Sequence, residues 1–195
     1  MDAVIDDEFD KALAFYCKGD STSAITSFKK IIEMRRHAEA PDLHFLGASL
    51  IQGGQPEMAL PIFQQAMELS GKAADYHWLG TTYYRLGKYD QAARVLEKAL
   101  ELLEIELLEK EGEVASSLGR EMLNTTHDWL GSALARVQKY AAALEHFNKV
   151  PKSEHSDRAK EDAKLCRKAL ANSRRRWWQM SIVKTLFGVG KVNKD

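Results

Sequence analysis

The sequence predicts an all-helical fold in which pairs of amphipathic helices repeat along the chain and stack into a right-handed solenoid. A pattern of small and large apolar residues occurs four times, with a period of roughly 34 residues over the first three copies. The chain has 195 residues and only four prolines, and Ala, Leu, Glu and Lys are common, which favours helix almost throughout. Short helices of this kind are marginal alone, so their apolar stripes must pack against each other.

The clearest copy of the pattern runs from Tyr76 to Leu103. Two short helices are predicted there, and they meet at a turn through Gly87. The weaker first copy is expected at 5–38, and the others at 40–71, 73–111 and 113–151. The positions that carry the pattern are a small residue in the first helix of each pair and an Ala and a large residue in the second: Ala12, Ala24 and Phe28; Gly47, Ala59 and Phe63; Gly80, Ala92 and Leu96; Gly131, Ala143 and Phe147.

These four copies resemble the tetratricopeptide repeat family. A small residue is needed where two helices approach closely, and a large one fills the groove beside it. We therefore expect Gly47, Gly80 and Gly131 to face the alanines of their own hairpins, namely Ala59, Ala92 and Ala143. Pro56 suits a helix start, and Pro61, about one turn later, is expected to loosen or kink the second repeat.

An insertion separates the third copy from the fourth. The separation between Gly80 and Gly131 is one period plus about half a repeat. Leucines continue through 101–108, Gly112 offers a turn, and apolar spacing resumes before Trp129, which predicts a helical hairpin lengthened by about two turns per arm. We expect this acidic hairpin to pack on itself and the protein to be a monomer; the alternative is that some of its apolar residues are exposed and the protein self-associates through the hairpin.

The C-terminal part is predicted to contain two segments. A helix at about 156–171 has one apolar face and is expected to cap the solenoid of residues 1–171. Residues 172–195 form a basic amphipathic tail that could cover the end of the stack, fold back into the groove, or touch an anionic membrane. The tail residues expected to make these contacts are Trp177, Trp178, Ile182, Leu186 and Phe187.

Composition limits the classes of function. The 28 Lys and Arg balance the 28 Asp and Glu, so global charge favours neither nucleic acid nor membrane as a partner. The two cysteines have no metal-ligand spacing and suit a reducing cytoplasm. The acidic N-terminus lacks the features of a secretory signal, and no stretch reaches the length of a membrane-spanning helix.

No motif for catalysis or for a cofactor is found. The chain has no phosphate-binding Gly-rich loop, no nucleophile elbow and no His-Glu-x-x-His. His44 and His77 occupy the same repeat position, but stacked helices are about 8–10 Å apart, which is too far for two ligands of one ion. We therefore expect a protein that is not an enzyme and that binds neither a metal nor a cofactor.

The resemblance implies a concave groove lined by the first helix of each repeat. A helical wheel places the implied positions on one side of that helix. The leading hypothesis is a cytoplasmic adaptor that binds a peptide segment or helix of another protein there, and the alternative is a membrane-peripheral assembly factor anchored through the tail. The candidate groove residues are His44, Ile51, Gln52, His77, Thr81, Tyr84, Arg85, Asp128, Ser132 and Arg136.

Overall fold

The computed structural model describes residues 2–109 and 113–187; for residues 2, 109, 113–116, 118 and 177–187 the description covers the backbone alone. Every regular element in these ranges is a helix, as predicted. The helices are α1 Asp2–Lys18, α2 Ser21–Arg35, α3 Ala40–Gln52, α4 Pro56–Ser70, α5 Ala73–Arg85, α6 Tyr89–Glu109, α7 Glu113–Arg136, α8 Tyr140–Lys149 and α9 Asp157–Phe187.

The helices stack in sequence order. Each packs against the next along the chain, and the alternate helices α1, α3, α5 and α7 also contact one another in succession. This is the packing of a helical-repeat solenoid, and helices α1–α8 are compatible with the four predicted pairs. The helix that follows them, α9, lies against both α7 and α8.

Glycines in the first helices set the close approach within three of the pairs. A Cβ added to Gly47 would lie 2.6 Å from Phe63 Cζ, one on Gly80 2.5 Å from Leu96 Cγ, and one on Gly131 2.7 Å from Phe147 Cε1. The atoms nearest to each added Cβ belong to the large residue, and the expectation that these glycines face alanines stays a prediction. Ala59, Ala92 and Ala143 are fully buried, but the large residue one turn after each alanine occupies the space beside the glycine.

The turns within the pairs use a left-handed residue at equivalent positions. Gly54 and Gly87 have φ values of +72° and +73°, and the corresponding residue of the fourth pair is Gln138, at +63°. Glycine adopts this conformation without the steric cost that a side chain adds. Helix α4 begins at Pro56, as predicted, and is one continuous helix from Pro56 to Ser70 with Pro61 inside it.

The lengthened hairpin, here called the arm, comprises the end of α6 and the start of α7; its predicted turn at Gly112 lies outside the described residues. Leu103 is 3% exposed, and Leu107 packs so closely on Gly119 that a Cβ there would lie 2.5 Å from Leu107 Cδ2. However, Ile105 is 46% exposed and Leu108 is 85% exposed. The expectation of a monomer depended on burial of the arm's apolar residues, and that condition does not hold for these two.

Helix α9 is longer than the capping helix that we expected to end near Ala171. It continues to Phe187 because no glycine or proline interrupts the sequence between Asp157 and Phe187. The side chains of residues 171–176 are exposed. The predicted contact residues Trp177, Trp178, Ile182, Leu186 and Phe187 lie outside the side chains that the structure describes. Among the described residues, no helix combines the length and the apolar character needed to cross a membrane.

Candidate functional site

The predicted groove residues fall into two sets. One set is exposed or half-buried and is available to a partner: His44, Gln52, Tyr84, Arg85 and Arg136. The other is buried between helices: Ile51, His77, Thr81, Asp128 and Ser132.

Two members of the buried set hold neighbouring helices together. His77 Nδ1 is 2.7 Å from Thr126 Oγ1, which links α5 to α7. Burial and the nearby charge of His44 lower the pKa of His77 to about 4, so its ring is neutral near pH 7. Asp128 accepts a hydrogen bond from the Ser156 backbone N–H at 2.9 Å and lies 2.6 Å from His155 Nδ1, which ties α7 to the start of α9.

Three arginines and two aromatic rings meet where α5, α7 and α9 converge. Tyr84 and Trp129 pack edge to face, with ring centroids 5.1 Å apart. The Arg158 guanidinium lies 3.5 Å from the Trp129 centroid and 5.4 Å from that of Tyr84. Arg85 lies 5.7 Å from the Trp129 centroid. Cations are attracted to the faces of such rings, and the rings in turn hold the guanidinium groups in place.

Arg136 completes this group, which we call the arginine–aromatic cluster: Tyr84, Arg85, Trp129, Arg136 and Arg158. Arg136 Nε donates to Tyr84 Oη at 3.3 Å, and Arg136 Nη2 is 3.5 Å from Asp162 Oδ1. The hydrogen bond to Tyr84 raises the pKa of Arg136. Burial lowers the pKa of Arg158, but an arginine starts from so high a value that it stays charged.

A cleft of about 340 Å³ adjoins the cluster, and Arg136, Tyr140, Asp162 and Cys166 are among its lining residues. Asp162 is 3% exposed, and its Oδ2 atom has no hydrogen-bond partner among the described residues. Arg136 pairs with Asp162, and the charges of Asp128 and Asp162 both act on Arg158. The three guanidinium groups of the cluster therefore have two buried carboxylates nearby, Asp128 and Asp162, which leaves an excess of positive charge at this end of the groove. Such a surface binds carboxylates, and planar guanidinium groups bind them with defined geometry.

A second polar position lies toward the N-terminal end of the groove. His44 Nδ1 is 3.8 Å from Asp75 Oδ1, and Ser70 also hydrogen-bonds to Asp75. Burial alone would raise the pKa of Asp75, but the nearby His44 ring and the hydrogen bond from Ser70 hold it below its usual value. These residues line a cleft of about 210 Å³. Within the described parts of the chain, no three His, Cys, Asp or Glu side chains are grouped to hold a metal ion.

Sequence reasoning missed the contribution of α9 to the cluster. Arg158 and Asp162 fall within the helix that was expected to cap the solenoid, and Trp129 was not among the candidate groove residues. One signal was present in the sequence, because Asp162 interrupts the apolar face that Ala159, Ala163 and Cys166 form on α9. A carboxylate at such a position usually requires a buried partner, and Arg136 is that partner.

Comparison with known proteins adds a family and a fold. Residues 39–105 match the model of the tetratricopeptide repeat family. A solved tetratricopeptide repeat protein from Parabacteroides merdae ATCC 43184 is 20% identical, with a TM-score of 0.64, over 95% of this chain and 67% of its own. The solved structure of MamA protein is 18% identical, with a TM-score of 0.68, over 99% of this chain and 100% of its own. No curated protein matches the sequence significantly.

Proposed function

We propose that this chain, in which residues 39–105 match the tetratricopeptide repeat family, is a non-enzymatic scaffold or adaptor that binds a peptide segment or helix of a partner protein in its groove. The family's fold supports a role in protein–protein interaction. Binding in the groove is supported by the exposed and half-buried polar residues along α3, α5 and α7. His44 and Gln52 offer hydrogen bonds at the N-terminal end, and Arg85 and Arg136 offer positive charge at the other.

The arginine–aromatic cluster is the observation that carries this proposal. Arg158 is held against Trp129, and Arg136 is held by Tyr84 and Asp162. Arg85 is exposed and lies 5.7 Å from the Trp129 centroid, a longer contact than that of Arg158. Side chains fixed in this way lose little conformational entropy when a ligand binds. The matching ligand is a segment that presents an acidic side chain to Arg85 and Arg136.

The alternative role, a membrane-peripheral assembly factor, depends on the apolar side chains of the tail. Those side chains are not among the ones described, and no observation on the described residues favours that role. The exposed arginines Arg174, Arg175 and Arg176 are also compatible with solvent or with an acidic partner.

Charge reversal at Arg85 tests the proposal. Tagged chains would be used to capture partners from the native cell, and the bound proteins would be quantified by mass spectrometry. Arg85→Glu should reduce capture of a groove partner by roughly tenfold or more, because hydrogen bonds to charged groups contribute about 1.5–3 kcal/mol. The matched control is Arg94→Glu, an exposed reversal on α6.

Arg136 is less suitable for this test because it pairs with the buried Asp162. Its reversal would place two carboxylates together and reduce stability. The melting temperature of Arg85→Glu should equal that of the unaltered chain. Equal capture by Arg85→Glu and Arg94→Glu would show that the partner does not use this end of the groove.

A further inference from the structure

A second cleft lies between the end of α8 and the start of α9, apart from the arginine–aromatic cluster. Its volume is about 540 Å³. Phe147, Val150 and Ala163 line it and are at most 4% exposed, so they form an apolar floor. Lys152, Lys160 and Arg167 stand around it with exposed side chains. We call this the basic cleft.

The cations of the basic cleft are nearly free of acidic partners. Lys160 Nζ is 3.1 Å from Asp157 Oδ1, in an exposed ion pair that contributes little to stability. Lys152 and Arg167 form no ion pair with a described residue. His155, which also lines the cleft, is bound to Asp128. The chain has no net charge, but positive charge is concentrated around the apolar floor of the basic cleft.

The arm carries a face with acidic and exposed apolar residues, which is complementary in charge to the basic cleft. Glu101, Glu104, Ile105 and Leu108 follow the spacing that puts residues on one side of a helix. Among the described side chains of the arm, Ile105 and Leu108 are the exposed large apolar residues, at 46% and 85%. Within the same described residues, Glu101 forms one ion pair, an exposed contact with Lys98 at 2.8 Å. The face is about 10 Å long, and it presents two apolar side chains beside two carboxylates.

The arm and the basic cleft lie at the same edge of the solenoid. Helix α7 begins in the arm, and Asn124 on it donates to Glu154 in the loop that leads to α9. That loop also contributes Lys152 and His155 to the cleft. A second copy that approaches this edge would therefore meet both surfaces.

We propose that this protein pairs with a second copy of itself through these two surfaces. Ile105 and Leu108 of one chain would cover the apolar floor of the cleft in its partner, and Glu101 and Glu104 would lie against Lys152 and Arg167. A reciprocal contact of this kind gives a closed two-fold dimer. This contact uses none of the residues of the arginine–aromatic cluster. A negative result for the dimer would therefore not contradict the proposed function.

Sedimentation velocity of the full chain at a series of concentrations measures the pairing. The apparent mass should rise from that of one chain to that of two, and added salt should shift the transition to higher protein concentration. Leu108→Glu should keep the mass of a single chain at all concentrations. Its helix content and melting temperature should not change, because this side chain is exposed. A single-chain mass for the unaltered protein at every soluble concentration would overturn the proposal.

Charge exchange tests which surfaces pair. Two variants should each remain monomeric, because in each of them like charges face each other across the contact. The cleft variant is Lys152→Glu with Arg167→Glu, and the arm variant is Glu101→Lys with Glu104→Lys. When the two variants are mixed, opposite charges are restored at both contacts and a mixed dimer should form. The control, Lys18→Glu with Lys29→Glu on exposed positions of α1 and α2, should pair like the unaltered chain. A cleft variant that still pairs, or a mixture that stays single, would show that the contact is wrong.

Discussion

At the residue scale, the distance between the two helices of a pair is set by the packing of a glycine on one helix against a large side chain on the other. The ideal Cβ position on Gly80 is 2.5 Å from Leu96 Cγ and 3.4 Å from the Leu96 backbone nitrogen. The side chain can rotate, but the backbone can respond only if α6 moves as a whole. Glycine is unfavourable in the middle of a helix by about 1 kcal/mol relative to alanine, so the close approach must contribute more than that.

Gly80→Ala should therefore destabilise the protein, by roughly 1–3 kcal/mol, as overpacked cores do. Chemical denaturation of Gly80→Ala, Leu96→Ala and the double variant would measure this. The penalty of Gly80→Ala should nearly vanish when Leu96 is already truncated, because the two side chains compete for one space. Additive penalties would mean that Leu96 is not what the new methyl group meets.

A pair of histidines makes stability depend on pH. His127 Nδ1 is 3.0 Å from His146 Nδ1. Burial, and then the charge of His146, lower the pKa of His127 to about 4, and burial lowers the pKa of His146. In the unfolded chain both return to about 6.5. Protonation thus favours unfolding: the stabilisation is complete above about pH 6.5 and is lost as the pH falls toward about 4.

The free energy of unfolding should fall by about 1 kcal/mol from this pair between about pH 7 and about pH 5, after allowance for solvent screening. His77, whose pKa is also lowered to about 4, adds to the fall in the same window. Urea denaturation at several pH values gives the free energy of unfolding as a function of pH. This free energy should change less with pH for His146→Gln than for the unaltered chain. Equal slopes would exclude the pair as a source of the dependence.

Some residue positions could be predicted from the sequence and others could not. Arg85 and Arg136 are exposed, and a helical wheel could place them on one side of their helices because that placement follows from spacing within one helix. It could not show that His77 is buried, since burial there depends on Thr126, which the lengthened α7 brings across from another repeat. The role of Arg158 likewise depends on where α9 lies relative to Trp129.

At the scale of elements, α9 is held in place by Asp128. This carboxylate accepts from the Ser156 N–H at 2.9 Å, next to the first turn of α9, and Ser156 Oγ in turn accepts from the Ala159 N–H at 3.2 Å. The sequence assigned Asp128 to the groove on spacing alone. Its actual neighbours come from a loop after Pro151, whose path no periodic pattern encodes.

Asp128→Ala should lower the free energy of unfolding by about 1–3 kcal/mol, because it leaves buried polar groups of the loop without a partner. Asp128→Asn retains an acceptor and should cost less. Asp157→Ala removes an exposed carboxylate from the same region and should change stability by only about 0.5 kcal/mol. Thermal unfolding of the three variants would measure this order, and an Asp128→Ala chain as stable as Asp157→Ala would contradict it.

The length of an element was harder to predict than its existence. The helices on either side of the insertion follow from continuous leucine spacing, and the structure confirms α6 and α7 there. The end of α9 was expected where the buried apolar stripe stops, near Ala171. A helix without a glycine or proline can continue past its packed region, as α9 does to Phe187.

At the scale of the whole molecule, the stack has ends that are less supported than its middle. Among the described helices, α1 contacts only α2 and α3, whereas α5 contacts α3, α4, α6 and α7. In a linear array each unit is stabilised mainly by its neighbours, so a terminal helix can open while the rest stays folded. Repeats of one pattern in the sequence predict this dependence on neighbours, but the extra contacts of the arm and α9 modify it at the C-terminal end.

Amide hydrogen exchange of the full chain, measured by mass spectrometry on peptides, should show α1 exchanging before α5. Amides of α5 should approach the protection expected for global unfolding, because opening this helix breaks contacts on both sides. Amides of α1 should exchange through local unfolding of this helix alone, which has a lower free energy than global unfolding and leaves the central helices folded. Peptides from α8, which contacts α7 and α9, should lie between the two. If α1 and α5 exchanged at the same protected rate, the chain would open as one cooperative unit, and the neighbour-by-neighbour account of its stability would be wrong.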